Sequence, residues 1–244
     1  MHRFFCEELL TRSNIVTLID KKEIHHLRHV LRLREKDQII LFNEKGEEAC
    51  GEINAIAPKE VKVTILKISQ PPQENISITL ACAIPKKGKF EFIIEKATEL
   101  GVAEIIPLKT KRTEVILTSE RKNKKQSRYK LIAINAAKQC KRTNIPLIHP
   151  ITDFQTAIHT LSPKSTLFIP SLIKERRNFF TALAQHKQIK TLTLFIGPEG
   201  DFTPDEYDFA LKSGCIPISL GEHTLKVETA AICAISCASL FYAP

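Results

Sequence analysis

The segment Leu194-Phe195-Ile196-Gly197-Pro198-Glu199-Gly200-Asp201-Phe202 decides the fold. An apolar run with strand character, Thr191 to Ile196, enters a turn bracketed by two glycines. A helix start follows at once: Thr203 can cap, Pro204 suits the first helical position, and Glu206 completes a capping box. In open α/β sheets a ligand binds beyond the carboxyl end of such a strand, and glycines let it approach the backbone. The motif is not the GxGxxG of a dinucleotide-binding turn.

Outward from this segment, strands alternate with helices. Strands are predicted over Ile76–Ile84, Glu104–Leu108, Ser165–Ile169 and Cys215–Leu220. Helices are predicted over Phe90–Leu100, ended by Gly101, over Tyr129–Cys140 and Phe179–Gln185, from Thr203 to Gly214, and over Glu228–Phe241. This alternation implies a parallel sheet covered on both faces. A second glycine turn, Leu220-Gly221, follows the last strand, and four of the eight glycines (197, 200, 214, 221) cluster here. The final helix carries the small residues Ala230, Ala231, Ala234, Ser236 and Ala238, which permit close packing.

Residues 1–70 differ. Gln38–Phe42, Ala49–Ile56 and Glu60–Ile68 read as strands, and residues 24–32 as a short amphipathic helix with a basic outer face. The polar, Pro-rich stretch Ser69–Asn75 marks the expected boundary, giving domains 1–72 and 73–244.

The 244 residues hold 43% hydrophobic and 26% charged residues, an ordinary globular composition that excludes a disordered or low-complexity chain. No apolar run approaches the ~18 residues of a membrane span, and the N-terminus lacks a signal-peptide stretch, so a cytoplasmic location with no membrane partner is expected. Seven cysteines without a CxxC fit neither a zinc ribbon nor a disulfide framework, and no metal is expected. Net charge is +9. Between Lys109 and Arg142 twelve basic residues meet only Glu114 and Glu120, while the rest of the chain is nearly neutral. Such a band is the footprint of a polyanion such as nucleic acid; a solvated loop is the alternative.

The motifs KGKFEFIIEKATELGVAEIIPL (87–108), RYKLIAINAAKQCKRTNIP (128–146), IGPEGDF (196–202), LGEHTLKVETA (220–230) and HHLRHVLRLREKD (25–37) together resemble the RsmE family, bacterial 16S ribosomal RNA uridine-N3 methyltransferases of the SPOUT superfamily. The resemblance implies a PUA-like N-terminal barrel and a C-terminal α/β domain with a deep trefoil knot. It implies S-adenosylmethionine as cofactor, a homodimer, and 16S ribosomal RNA in the small subunit as partner. By motif match the cofactor would contact Pro170, Ser171, Leu172, then Ile196, Gly197, Pro198, Glu199, Gly200, and then Leu220, Gly221, Leu225, Lys226, Glu228, Thr229 and Ala230. Asp201 and Lys141 stand where the family has glycine, and His223 and Lys226 where it has arginine.

Methylating an imide nitrogen needs stabilisation of developing negative charge and a proton acceptor. Arg142 and Lys226 are the candidates for the first, Glu199 or His223 for the second. Arg3, His25, Arg28, Arg32 and Arg34, with Lys109, Lys111, Arg112, Lys124, Lys125 and Arg128 of the band, are the candidate RNA contacts. Two alternatives stay open: another knotted RNA methyltransferase, such as a ribose 2′-O enzyme on tRNA, and a non-catalytic ribosome-assembly protein.

Overall fold

A computed structural model describes residues 1–7, 14–69, 75–86, 88–113, 119–172 and 175–243, with the side chains of 119–122 outside that description. Most of the Pro-rich boundary segment therefore lies outside the described residues. The chain divides into two compact units, one of Met1–Gln73 with Ala137–Ile145, the other of Glu74–Ala136 with Pro146–Pro244. The segment 137–145 thus groups with the N-terminal unit, whereas the sequence places it in the second domain.

The N-terminal unit contains β1 (His2–Phe5), β2 (Ile15–Leu18), α1 (Lys21–His25), β3 (Gln38–Phe42), β4 (Glu48–Ile56) and β5 (Val61–Ser69). Asp20 caps α1 by accepting from the Lys22 and Glu23 amides, and the helix runs on as a π-helical turn over His26–Val30. The sheet order is β1-β3-β4-β5-β2, antiparallel except for the β1–β3 pair. Alternation along β4 turns Ala49, Gly51 and Ile53 inward. With Phe4, Leu18, Leu27, Ile39, Leu41, Val61 and Val63, the residues Ala49 and Ile53 form the core. Two register shifts between β4 and β5 bend the sheet around that core. Two ion pairs fasten the 137–145 segment to this unit or brace it. Lys138 pairs with Glu23 at 2.7 Å, and Glu48 accepts from both Arg3 and Thr143.

The C-terminal unit contains β6 (Ser77–Ala83), α2 (Lys89–Glu99), β7 (Glu104–Lys109), α3 (Ser119–Cys140), β8 (Leu147–Ile148), β9 (Thr152–Asp153), α4 (Phe154–Leu161), β10 (Thr166–Pro170), β11 (Arg177–Asn178), α5 (Phe179–Ala184), β12 (Thr191–Ile196), α6 (Pro204–Lys212), β13 (Ile216–Ser219) and α7 (Val227–Phe241). The last turn of α3 belongs to the N-terminal unit. The strands form one sheet, β11-β13-β10-β12-β6-β7-β8, with β9 also pairing β7, and every pairing is parallel. α4 and α6 cover one face, where Phe154, Phe195, Phe202 and Tyr207 pack together. α7 packs with α2 and α5 and lies against β6 and β12.

The helix predicted over Tyr129–Cys140 is corrected: α3 begins at Ser119, ten residues earlier. Glu, Arg, Lys and Gln are good helix formers, but this stretch is polar all round and offers no apolar period to detect. The helix α4 was not predicted.

Gly51 marks the tightest point of the N-terminal sheet. A Cβ there would stand 2.5 Å from Val63 Cγ1 and 2.9 Å from the Thr64 carbonyl oxygen. The backbone oxygen cannot move without breaking the β4–β5 ladder. Gly51→Ala is therefore expected to destabilise the protein by about 1–3 kcal/mol. A urea midpoint unchanged from wild type would contradict this.

Candidate functional site

β13, β10 and β12 are neighbours in the sheet, so their carboxyl ends lie side by side. A cavity of about 400 Å³ opens beyond those three ends. Pro170, Ser171 and Leu172 line it after β10; Ile196, Gly197, Pro198, Glu199 and Asp201 after β12; and Leu220, Gly221, Leu225, Lys226 and Ala230 around the start of α7. The structure thus brings together most of the residues assigned to the cofactor from sequence. Gly200, Glu228 and Thr229 do not line the cavity. Gly200 faces Arg112 instead, and Glu228 pairs with Lys89 at 2.9 Å. The Lys89 ammonium holds the Glu228 carboxyl below the usual carboxylate range. Lys89, Arg176, His223 and Thr224 line the cavity too and were not among the assigned residues. Arg176 donates to the Ser171 carbonyl at 2.8 Å, but nothing in its local sequence signals this.

The glycine-bracketed turn is held from several sides. The Asp201 amide donates to the Pro198 carbonyl at 2.9 Å, closing the turn. Glu199 Oε1 accepts from the Lys86 amide at 2.9 Å, tying the turn to the segment after β6. Arg112 donates to the carbonyls of Gly200 and Phe202. The capping box at Thr203 and Glu206 forms as expected, and Glu206 also accepts from the Lys111 amide at 2.9 Å. A Cβ on Gly197 would come within 3.2 Å of the Phe202 ring, so glycine keeps backbone and ring together.

Asp201 has φ +62°, a left-handed conformation that suits the glycine implied here by the resemblance. Aspartate tolerates that region because its short side chain bonds locally. Here Oδ1 accepts from the Phe202 amide at 2.9 Å and from the Tyr207 hydroxyl at 2.8 Å. The same hydroxyl lies 3.2 Å from the Pro170 carbonyl oxygen. Burial, reinforced by the Asp201 carboxylate, pushes the Tyr207 hydroxyl pKa up, so it remains a donor. Tyr207 therefore links the loop after β10 to the turn after β12. Lys141 follows α3 with φ +62°, again where the resemblance implies glycine.

Burial pushes the buried thiol of Cys82 far up and that of Cys215 to about 12, so both are neutral near pH 7. Among the described residues no group of three or more His, Cys, Asp or Glu could hold a metal, and no helix is long and apolar enough to cross a membrane.

The other assigned residues are distributed more widely. Arg142 groups with the N-terminal unit and does not line the cavity; its carbonyl accepts from Arg3 Nη2 at 3.2 Å. Arg3 is not a surface residue: its side chain is 10% exposed, paired with Glu48 and set over the Phe42 ring. His25, Arg32 and Arg34 are exposed, and Arg28 is half-buried. In the band, Lys124 is exposed along α3 and Lys125 is half-buried. Arg128 pairs in bidentate fashion with Glu91, Lys109 with Asp153 and Lys111 with Asp205. The positive charge of the band is thus partly offset by acids distant in sequence. The two lysine pairs are exposed, so they hold those lysines only weakly.

An RNA methyltransferase domain model matches residues 72–239, and a PUA domain model of RNA methyltransferases matches residues 19–66. The ribosomal RNA small subunit methyltransferase E of Bacillus subtilis (strain 168) is 29% identical, with 98% of this chain and 96% of that one covered. Its counterpart from Buchnera aphidicola subsp. Schizaphis graminum is 31% identical over 96% of this chain and 94% of that one. The crystal structure of the Neisseria gonorrhoeae ribosomal RNA small subunit methyltransferase E, bound to S-adenosyl methionine, superposes with a TM-score of 0.89 at 28% identity, covering 99% of this chain and 98% of that one. This chain belongs to the RsmE family of RNA methyltransferases.

The Tyr207–Asp201 link predicts an order of stabilities. Tyr207→Phe should cost about 1 kcal/mol. Asp201→Ala should cost about 1–3 kcal/mol, through lost hydrogen bonds and a left-handed alanine. Asp201→Gly should cost less than Asp201→Ala, since glycine accepts the backbone conformation. Urea unfolding that ranks alanine at or above glycine would break this account.

Proposed function

We propose that the protein uses S-adenosylmethionine to methylate N3 of a uridine in 16S ribosomal RNA. The observation that carries this reading is the cavity beyond β13, β10 and β12, in a chain of this family. Its size suits a small cofactor. Ile196, Leu220, Leu225 and Ala230 offer an apolar wall for an adenine face, while Gly197 and Gly221 leave main chain uncovered by side chains. Pro170, Ser171 and Leu172 would close the remaining side. The return of α7 from β13 to pack on β6 and β12 supports the knotted threading that the resemblance implies.

When bound, S-adenosylmethionine supplies a methyl group on a sulfonium. Its transfer to N3 would form the N3–carbon bond and break the carbon–sulfur bond, with the imide proton passing to solvent water. Positioning of N3 is the protein's first task. Lys226 lines the cavity at the N-cap of α7, where its ammonium stabilises negative charge developing on the uracil. Glu199, proposed from sequence as the proton acceptor, is better suited to positioning, because its Oε1 already holds the Lys86 amide. Arg142 acts from the N-terminal unit as an RNA contact, with His25, Arg28, Arg32, Arg34, Lys124 and Lys125 supplying positive surface.

A cytoplasmic homodimer fits this function. Leu172 and Leu240, 57% and 76% exposed, provide apolar surface that a second copy would cover. Light scattering should give twice the chain mass.

Calorimetry should show saturable S-adenosylmethionine binding near one per subunit. Incubation with unmodified small subunits or 16S transcript, followed by nucleoside mass spectrometry, should yield 3-methyluridine. A 2′-O-methyl nucleoside would replace the uridine-N3 assignment, and no methylation despite cofactor binding would leave an RNA-binding role. Lys226→Ala should lower turnover by about 10²-fold. Its side chain makes no cap hydrogen bond, so the fold should be unaffected. Wild-type turnover in that variant would remove Lys226 from the mechanism. RNA affinity should fall steeply between about 50 and 200 mM salt.

A further inference from the structure

A second cavity, of about 210 Å³, lies wholly within the N-terminal unit. His2 and Arg3 of β1, His26, and Lys138, Gln139 and Lys141 at the end of α3 line it. Met1 also lines it; each of the other six side chains carries an N–H donor, and among the described residues no carboxylate lines the cavity. The carboxylates that serve this region are spent on its frame. Glu23 accepts from Lys138 through both oxygens, at 2.7 and 3.0 Å, and Glu48 accepts from Arg3 Nη1. His26 Nδ1 stands 3.5 Å from the Lys138 ammonium, which has no lone pair and so can only donate to it. Arg3 Nε is buried and has no hydrogen-bond partner among the described residues. Lys141 makes no ion pair among the described residues, and it occupies a left-handed position, φ +62°, that favours glycine.

We propose that this cavity binds a phosphate oxyanion, supplied by a phosphodiester of the RNA substrate. A ligand that meets this many N–H donors, with Arg3, Lys138 and Lys141 among them, must itself be rich in acceptors, and a tetrahedral oxyanion accepts from several directions at once. The framing ion pairs hold Arg3 and Lys138 in place before the ligand arrives, and Lys141 and the imidazole edges complete the site. The RNA as source rests on the function proposed above; the oxyanion chemistry does not.

Two measurements on the full chain test this. In the first, inorganic phosphate is titrated while the His26 imidazole is followed by NMR. Wild type and Lys141→Arg should show saturable shifts. Lys141→Gly, which removes the charge without straining the backbone, should bind at least about tenfold more weakly. In the second, affinity for a 16S transcript is measured against salt. Lys141→Gly should lower the magnitude of the log–log slope by about one, as expected for one lost phosphate contact. Lys67→Ala, an exposed lysine of β5, should leave the slope unchanged. The site is overturned if phosphate does not move the His26 signals, or if Lys67→Ala and Lys141→Gly change the slope equally. Phosphate binding without RNA binding would keep the oxyanion site and overturn RNA as its source.

Discussion

The order of three strands governs this molecule. β10, β12 and β13 are separated in sequence by helices, yet parallel pairing sets them side by side with their carboxyl ends at one edge of the sheet. Parallel strands require crossovers, and the crossovers cover both faces of the sheet. What remains open is the edge where the strands stop, and the polypeptide must turn there three times in a confined space. The residues tolerated at those turns are the ones the cavity displays: prolines that fix φ, glycines that leave the main chain bare, and one aspartate able to adopt a left-handed conformation.

Loops at the end of a sheet carry no ladder hydrogen bonds, so side chains from elsewhere hold them. Tyr207 reaches back from α6, Arg112 comes from the segment after β7, Glu199 turns toward Lys86, and Arg176 reaches the Ser171 carbonyl. Each such bond is worth only about 1 kcal/mol net. Together they fix the relative placement of turns that share no backbone pairing. A binding surface made of main chain requires this, because its geometry cannot be adjusted by rotamer changes.

The sequence was most informative where local chemistry is strict. The cap at Thr203–Glu206, the terminating glycines 101 and 214, and the strand β12 appear in the structure at the expected positions. The glycine-bracketed turn lies at the edge of the sheet where the cavity opens. Local reading failed where the decisive partner is remote. The band from Lys109 to Arg142 looked almost unopposed because Glu91, Asp153, Asp205 and Glu23 lie outside it in sequence. Arg3 looked like surface charge, although its Glu48 partner is 45 residues away. α3 was read ten residues short because a helix polar on every side carries no periodic signal, and α4 went unseen because two turns of helix offer too few apolar repeats.

The residues that end α3 belong to the unit formed by the beginning of the chain. That unit is therefore discontinuous in the gene, interrupted by more than sixty codons of the other unit. A single cut in the boundary segment would not yield two self-sufficient halves. The shorter piece would lose Lys138 and Thr143, leaving the Glu23 and Glu48 carboxylates without those partners in a partly buried setting. The longer piece would carry a stretch of chain whose packing surface had been removed. Recombination between family members at that single point would meet the same difficulty unless both segments travelled together, so the unit behaves in inheritance as one block despite being written in two places.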